Sequence, residues 1–361
     1  MNKTMQIPYL DLSRLYNWQK ENFDLALQEV LNSGRYMDGE KTQICEDNIA
    51  KIFNYKHSIT VGSCSDAIYF SLLAAGVGKD DEVLLTSFSF VGSVMPIYRL
   101  GARAVFVDID PKNALMETGN IEKLINKNTK AIVAVHLFGN TLDMEVILKI
   151  AKKHNLIVIE DAAQSAGVEP NYGSENKSDF VCTSFDPTKV IHAFGTGGAV
   201  VTNNEIYFER IKKYRYHGKD NKGFEIPGYN SRMSEIQCAK LNIQIDMLQE
   251  ILEQRKHIAN KYFELLKESD KIKITDYQEN SNFHKIVIRT AKRDWLKNEL
   301  EKLGIQSMIH YPKSLNKYFG DTKNYPEALK WSDECLSLPI FYGIKDEEVN
   351  CICEQINRIV C

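Results

Sequence analysis

Several things are missing from this chain, and each absence removes a class of protein. No apolar run reaches the roughly 18–20 residues that a membrane-spanning helix needs. The opening stretch MNKTMQIPYLDLSRLY holds no signal-peptide core before it turns polar. A cytoplasmic protein with no membrane partner is the expectation. There is no excess of one charge: 45 Lys and Arg against 48 Asp and Glu leave a net −3, which gives no footing for nucleic acid. An anionic ligand must therefore meet local positive charge. Proline is scarce, nine among 361 residues, and no low-complexity tract or long linker divides the chain. The eight cysteines, Cys45, Cys64, Cys182, Cys238, Cys335, Cys351, Cys353 and Cys361, include no CxxC pair. Neither a zinc ribbon nor a redox dithiol is expected. Cys351 and Cys353 stand two apart in a predicted helix, where they point to different faces and cannot chelate one metal together. Free thiols in a reducing compartment are expected, and no metal site.

What is present is an alternation. From about residue 57 to 202, short apolar segments alternate with helical patterns. The strand candidates are HSITVG (57–62), EVLLTS (82–87), ARAVFVD (102–108), KAIVAVH (130–136), LIVIED (156–161), DFVCTSF (179–185) and GGAVVT (197–202). Helical patterns lie between the first five, as in DAIYFSLLAAG (66–76), SVMPIYRLG (93–101) and DMEVILKIAKKHN (143–155). Apolar strands joined through helices predict an α/β fold, with a mostly parallel seven-stranded sheet covered on both faces. Ligands of such sheets sit beyond the carboxyl ends of the strands. Two amphipathic helices, about 18–32 and 40–53, precede this unit, and one long helix, roughly 233–267, follows it. The remainder reads as a smaller C-terminal α/β domain: strand 283–290, helix 293–304, strand IQSMIHY (305–311) and a last helix near 346–359. The expected division is a large domain over residues 1–232 and a small one over 233–361.

Lys189 is the most pointed residue within that frame. It follows a buried strand and precedes GTGG (195–198), where the backbone can turn tightly and approach a ligand. Desolvation there lowers a lysine's pKa from its ordinary ~10.4, which makes the amine a nucleophile. In LIVIEDAAQSAG (156–167) a strand ends in Glu160 and Asp161, which alternation sends to opposite faces, so only one can serve a given site. A carboxylate at that strand end can pair with a protonated pyridine nitrogen, although an ordinary helix cap by Asp161 is equally compatible with the pattern. GSCSDAIYFSLLAAG (62–76) puts Ser63 and Ser65 at a helix start, where free N–H groups bind phosphate or merely take a cap. The basic loop YRYHGKDNKG (214–223) offers Arg215, His217, Lys219 and Lys222, with Arg232 beyond it, as cations for an anionic substrate or as a solvated surface.

In this order the segments resemble the DegT/DnrJ-type sugar aminotransferases, pyridoxal phosphate (PLP) enzymes of the aspartate-aminotransferase fold. The resemblance runs from IPYLDL (7–12) and SGRYMDGE (33–40) through HLFG (136–139), EDAAQSAG (160–167), SFDPTK (184–189) and GYNSRMSEIQ (228–237) to IHYP (309–312) and LSLPI (336–340). It implies that Lys189 bonds the cofactor covalently and later carries the proton, that Asp161 pairs with the pyridine nitrogen, and that Gln164 reaches the ring oxygen. Phe90 would stack on the ring. Ser184 would hold the phosphate together with the backbone of Ser65 and Asp66, and Asn230 would reach that phosphate from the partner of a homodimer with shared sites. His217, Arg215, Arg232, His310 and Tyr311 would contact substrate. The implied activity moves an amino group from L-glutamate, leaving 2-oxoglutarate, to a keto group of a nucleotide-linked sugar. The 3-keto position is favoured over the 4-keto, for an amino sugar of a surface glycan. Two other readings stay open: a PLP-dependent sugar dehydratase, whose relatives carry histidine in place of the lysine, and a non-catalytic regulatory protein on the same fold. The chain departs from the family at Cys64, where glycine is usual, at Asp186, which could raise the lysine's pKa if the two meet, and in the short segment 169–179.

Overall fold

The computed structural model describes residues 5–321, 323 and 325–360. Cys361 lies outside them. Three helices open the chain where the sequence predicts two: α1 (Leu12–Trp18), α2 (Lys20–Ser33) and α3 (Glu40–Phe53). Asp11 caps the first by accepting the Ser13 N–H. Gln19, at φ −118° and ψ 26°, separates it from the second.

The alternating unit follows as β1 (His57–Val61), α4 (Cys64–Ala74), β2 (Glu82–Thr86), α5 (Met95–Arg99), β3 (Arg103–Val107), β4 (Thr129–Val135), α6 (Met144–His154), β5 (Ile157–Asp161), β6 (Phe180–Ser184) and β7 (Gly198–Thr202). The strands make one seven-stranded sheet in the order β1-β7-β6-β5-β4-β2-β3. Neighbours from β3 across to β6 pair in parallel, while β7 runs antiparallel to both β6 and β1. Strands β2, β6 and β7 are buried at every residue, which explains why their middle residues are mostly apolar. The helix predicted over 93–101 forms as a 3-10 turn (Val91–Ser93) and the short α5. Between β3 and β4 there are only 3-10 turns. Helix α4 buries Ala67, Ile68, Phe70 and Leu72 against the sheet. Ile68, Phe70 and Leu72 each contribute roughly 1.5–3 kcal/mol. Its first turn is pressed onto β7 at Gly198: a Cβ there would lie 2.5 Å from the Ser63 carbonyl carbon and 2.6 Å from the Cys64 nitrogen. Only glycine allows that approach.

Helix α7 (Glu205–Tyr214) leads to a small hairpin, β8 (Lys219–Asp220) and β9 (Gly223–Phe224). The single helix predicted over 233–267 is two: α8 (Glu235–Asp246), opened by a Ser234–Gln237 capping box, and α9 (Leu248–Leu265). The bend falls at Met247, φ −97° and ψ 4°. Cys238 and Leu241 of α8 join the core beneath α3 and the sheet, whereas Ile258, Ala259 and Tyr262 of α9 join the C-terminal core. The first turn of α9, through Ile251, still packs in the α8 core, and the helix enters the C-terminal core further along. The C-terminal lobe holds β10 (Lys273–Ile274), β11 (Ile286–Arg289), α10 (Arg293–Lys302), α11 (Leu315–Tyr318), α12 (Pro326–Glu334), β12 (Cys335–Leu338) and α13 (Asp346–Val360). Its antiparallel sheet has the order β10-β11-β12. The strand predicted over 305–311 does not form. That segment makes only isolated bridges, Ile305 to Ile7 and Met308 to Ser337. It passes from one neighbour to another, and its place in the sheet belongs to β12.

Candidate active site

The ends of β5 and β6, the start of α4, and residues 308–311 of the C-terminal lobe enclose a cleft of about 480 Å³. Alternation at the end of β5 separates its two carboxylates as expected. Glu160 faces away, accepting from His136 Nε2 at 2.8 Å, from the Tyr172 hydroxyl at 2.9 Å and from Ser178. His136 Nδ1 accepts the Leu142 N–H at 3.1 Å, which leaves the ring proton on Nε2, toward Glu160. Asp161 lines the cleft. It accepts the Ser93 hydroxyl at 2.6 Å and the Ala163 N–H at 3.2 Å, with the Cys64 thiol at 3.6 Å.

Lys189 projects into the same cleft from the loop after β6, and its amine makes no hydrogen bond or ion pair with any described residue. Burial lowers its pKa from the ordinary 10.5, and Asp161, Cys64 and Asp186 oppose that shift without reversing it. Asp186 therefore acts in the direction the sequence suggests but loses to desolvation; its Oδ1 accepts the Thr188 N–H at 2.9 Å and hydroxyl at 2.7 Å. Cys64 opens α4 without a left-handed backbone angle, so replacing glycine there imposes no strain. Burial, reinforced by Asp161, pushes its thiol up, keeping it neutral.

Gln164 accepts the Phe138 N–H at 3.0 Å, which turns its Nε2 to donate to the Tyr311 hydroxyl at 3.0 Å. Ser184 Oγ accepts the Asp186 N–H at 3.2 Å, and Ser65 donates to the Gly92 carbonyl at 3.1 Å. Phe90, 56% exposed, lies 6.1 Å from the Tyr311 ring. A Cβ on Gly92 would meet that phenyl at 2.9 Å, so glycine keeps the Phe90 side of the cleft open. His310 bonds Ser337 Oγ at 3.0 Å, and burial lowers its pKa to about 2.

Eight of the predicted site residues thus meet in one cleft: Lys189, Asp161, Gln164, Phe90, Ser184, Ser65, His310 and Tyr311. Five do not. Asp66 gives its carboxylate to Ser231 and Arg99, and its N–H to Ser63 Oγ. Arg215 is committed to Glu46 and to Thr60, and Arg232 to Asp38 with its guanidinium 3.7 Å over Tyr216. His217 and Asn230 are exposed on the segment that carries the basic loop. Both arginines line a separate groove with Lys212, Lys213 and Lys219. Sequence reasoning missed Ser93, Lys285 and the structural role of Glu160. A serine or lysine without a motif gives no signal of its own.

The cleft suits a flat, phosphate-bearing aldehyde. It offers an unpartnered amine, a hydrogen-bonded carboxylate at a strand end, serine hydroxyls, and an eleven-residue helix, α4, starting against it. Together with the sheet order, these groups fit a PLP-dependent enzyme, and the family match makes it a sugar aminotransferase. The profile of the DegT/DnrJ/EryC1/StrS aminotransferase family matches residues 17–357, and the chain belongs to that family. It is 39% identical to a "Pleiotropic regulatory protein" of Geobacillus stearothermophilus over 98% of each chain. It is 32% identical to the UDP-2-acetamido-2-deoxy-3-oxo-D-glucuronate aminotransferase of Pseudomonas aeruginosa, over 98% of this chain and all of the relative. Among solved structures, S. venezuelae DesV in complex with a ketimine intermediate superposes with a TM-score of 0.94, at 29% identity over 99% of each chain. Among the described residues no helix is long and apolar enough to cross a membrane, and no cluster of metal-ligating side chains occurs.

Proposed function

We propose that this chain transfers the amino group of L-glutamate to the 3-keto group of a nucleotide-linked sugar, supplying an amino sugar for a surface glycan. The observation that carries the reading is the unpartnered Lys189 amine in one cleft with the oriented Asp161 carboxylate. The name of the Pseudomonas aeruginosa relative supports a 3-oxo sugar. We place the enzyme in the cytoplasm, where its seven described cysteines, all free, stay reduced.

Bound PLP supplies an electron sink for the negative charge that develops when a substrate C–H bond breaks. Asp161, its direction fixed by Ser93 and Ala163, would keep a proton on the pyridine nitrogen. Lys189, whose pKa burial lowers, would take the substrate proton and return it. Ser65, Ser184 and the first turn of α4 would hold the phosphate, Phe90 would lie against the ring, and Gln164 would serve the ring oxygen. His310 and Tyr311 border the substrate from the lobe. The dehydratase alternative requires a histidine at the lysine's position. His192, the nearest in sequence, is 4% exposed and does not line the cleft.

Arg215, His217, Asn230 and Arg232 lie away from this cleft within one chain, which fits service to the cleft of a second copy in a homodimer. A heterodimer of Lys189→Ala and Asn230→Ala chains would then hold one intact site and outperform the mean of the two parent homodimers. Activity at or below that mean would remove Asn230 from a shared site. The substrate is tested by incubating the enzyme with L-glutamate and a panel of 3-keto and 4-keto nucleotide sugars, read by mass spectrometry. Replacement of the 3-keto oxygen by an amino group is expected. Amination of 4-keto sugars alone would overturn the position, and amination of none would overturn the substrate class.

A further inference from the structure

We propose that Lys285 is the carboxylate-binding residue of this cleft, its ammonium pairing with a carboxylate carried by the substrate. The inference deepens the amino-transfer reading and takes its ligand class from it. Lys285 immediately precedes β11, lines the cleft, and is only 5% exposed. Its Nζ donates to the Tyr9 hydroxyl at 3.2 Å and lies 5.6 Å from the centre of that ring. No carboxylate among the described residues forms an ion pair with it. A buried ammonium in that position is costly unless something anionic answers it.

The neighbours make the deficit larger. Burial pushes the Lys285 pKa well below its ordinary value, and Lys189 and Arg255 push it further. Arg255, itself 7% exposed, is bonded to the backbone carbonyls of Asn282, Phe283 and His284 rather than to any acid. His284 and His310 are held neutral by burial and contribute no negative charge. Asp186 is the one acid that favours a charged Lys285, and its Oδ1 is engaged by Thr188. The lobe wall therefore gathers basic groups, Lys285 foremost, to which no acid among the described residues is bonded. A substrate carboxylate entering beside Lys285 and Tyr9 supplies the missing charge, and Lys285 takes up a proton as it binds. Two sources share that chemistry: the donor amino acid, whose product is 2-oxoglutarate, and a uronic acid sugar.

The test is calorimetry on the PLP-loaded enzyme at about pH 8, below the ordinary lysine pKa, in two buffers of different ionisation heat. Titration with 2-oxoglutarate should show net proton uptake. Lys285→Met should abolish the uptake and weaken binding by about ten-fold or more, and Lys285→Arg should restore affinity. If the sugar supplies the carboxylate, 2-oxoglutarate binding survives in Lys285→Met. In that case the KM advantage of a 3-keto uronic acid nucleotide sugar over its C6-alcohol analogue disappears. Either pattern supports the proposal. Unchanged 2-oxoglutarate affinity together with unchanged discrimination between the two sugars overturns it. Should Lys285→Met not fold, the wild-type enzyme decides: no proton uptake with 2-oxoglutarate or with the uronic acid sugar overturns it equally. Equilibrium binding needs no turnover, so its failure is distinct from failure of the amino-transfer reading.

Discussion

Glu160 and Asp161 are the same kind of group, one residue apart on one strand, and they do unrelated work. Behind the sheet, Glu160 is 1% exposed and gathers His136, Tyr172 and Ser178, tying the segment 169–179 back to β5. On the cleft side, Asp161 is 4% exposed and accepts from Ser93 and Ala163, while it also borders the cavity. Chemistry therefore follows from which face the pleat presents and not from the residue type. A carboxylate whose acceptor positions are taken up by side chains behind the sheet stabilises the fold. One that a few donors orient beside a cavity can serve a ligand.

Two substitutions sharpen that contrast. Glu160→Gln puts an NH2 group where the carboxylate now accepts from His136 on one oxygen, or from Tyr172 and Ser178 on the other. A loss of roughly 1–3 kcal/mol of folding stability is expected, read from the denaturant midpoint. Unchanged stability with activity lost would reverse the assigned roles. The smaller effect concerns Lys189. Asp161 raises the lysine's pKa against the dominant lowering by burial, and Glu160 is not among the groups that act on it. Asp161→Asn should therefore lower the Lys189 pKa further, and Glu160→Gln should leave it in place, as followed by lysine NMR on the cofactor-free protein. For a base depressed in the folded state, the unfolded chain binds more protons between the folded value and 10.5. Stability then rises with pH across that window, and in Asp161→Asn the window opens at lower pH. A Lys189 pKa indifferent to Asp161→Asn would mean that the two groups do not interact.

Much of this site was legible because the residues lie at strand ends, where alternation and the carboxyl-edge rule place them. Asp161 and Ser184 end β5 and β6, where a period of two fixes their direction, and Lys189 follows in the loop after β6. The C-terminal wall was less legible. The segment 305–311 alternates like a strand, yet its hydrogen bonds go to Ile7 at one end and Ser337 at the other, and no local pattern encodes partners so distant. The bend at Met247 has no glycine or proline to announce it, and α9 stays in the α8 core through Ile251 before reaching the C-terminal core. Lys285 reads as one more charged residue in a strand segment until the fold shows that no acid among the described residues pairs with it. Arg215 and Arg232 show the converse: the sequence marks them as basic, but not that Glu46 and Asp38 hold them away from the cleft of their own chain.

The division of labour at the end of β5 is tested most directly by the half-reaction with L-glutamate, followed by absorbance in PLP-loaded wild type, Asp161→Asn and Glu160→Gln. Losing the ring's charged partner should slow Asp161→Asn by about 10²-fold or more, with Glu160→Gln staying within a few-fold of wild type. A folded Asp161→Asn enzyme that reacts as fast as wild type, or a folded Glu160→Gln enzyme slowed by that factor, would contradict the assignment of Asp161 to the cofactor.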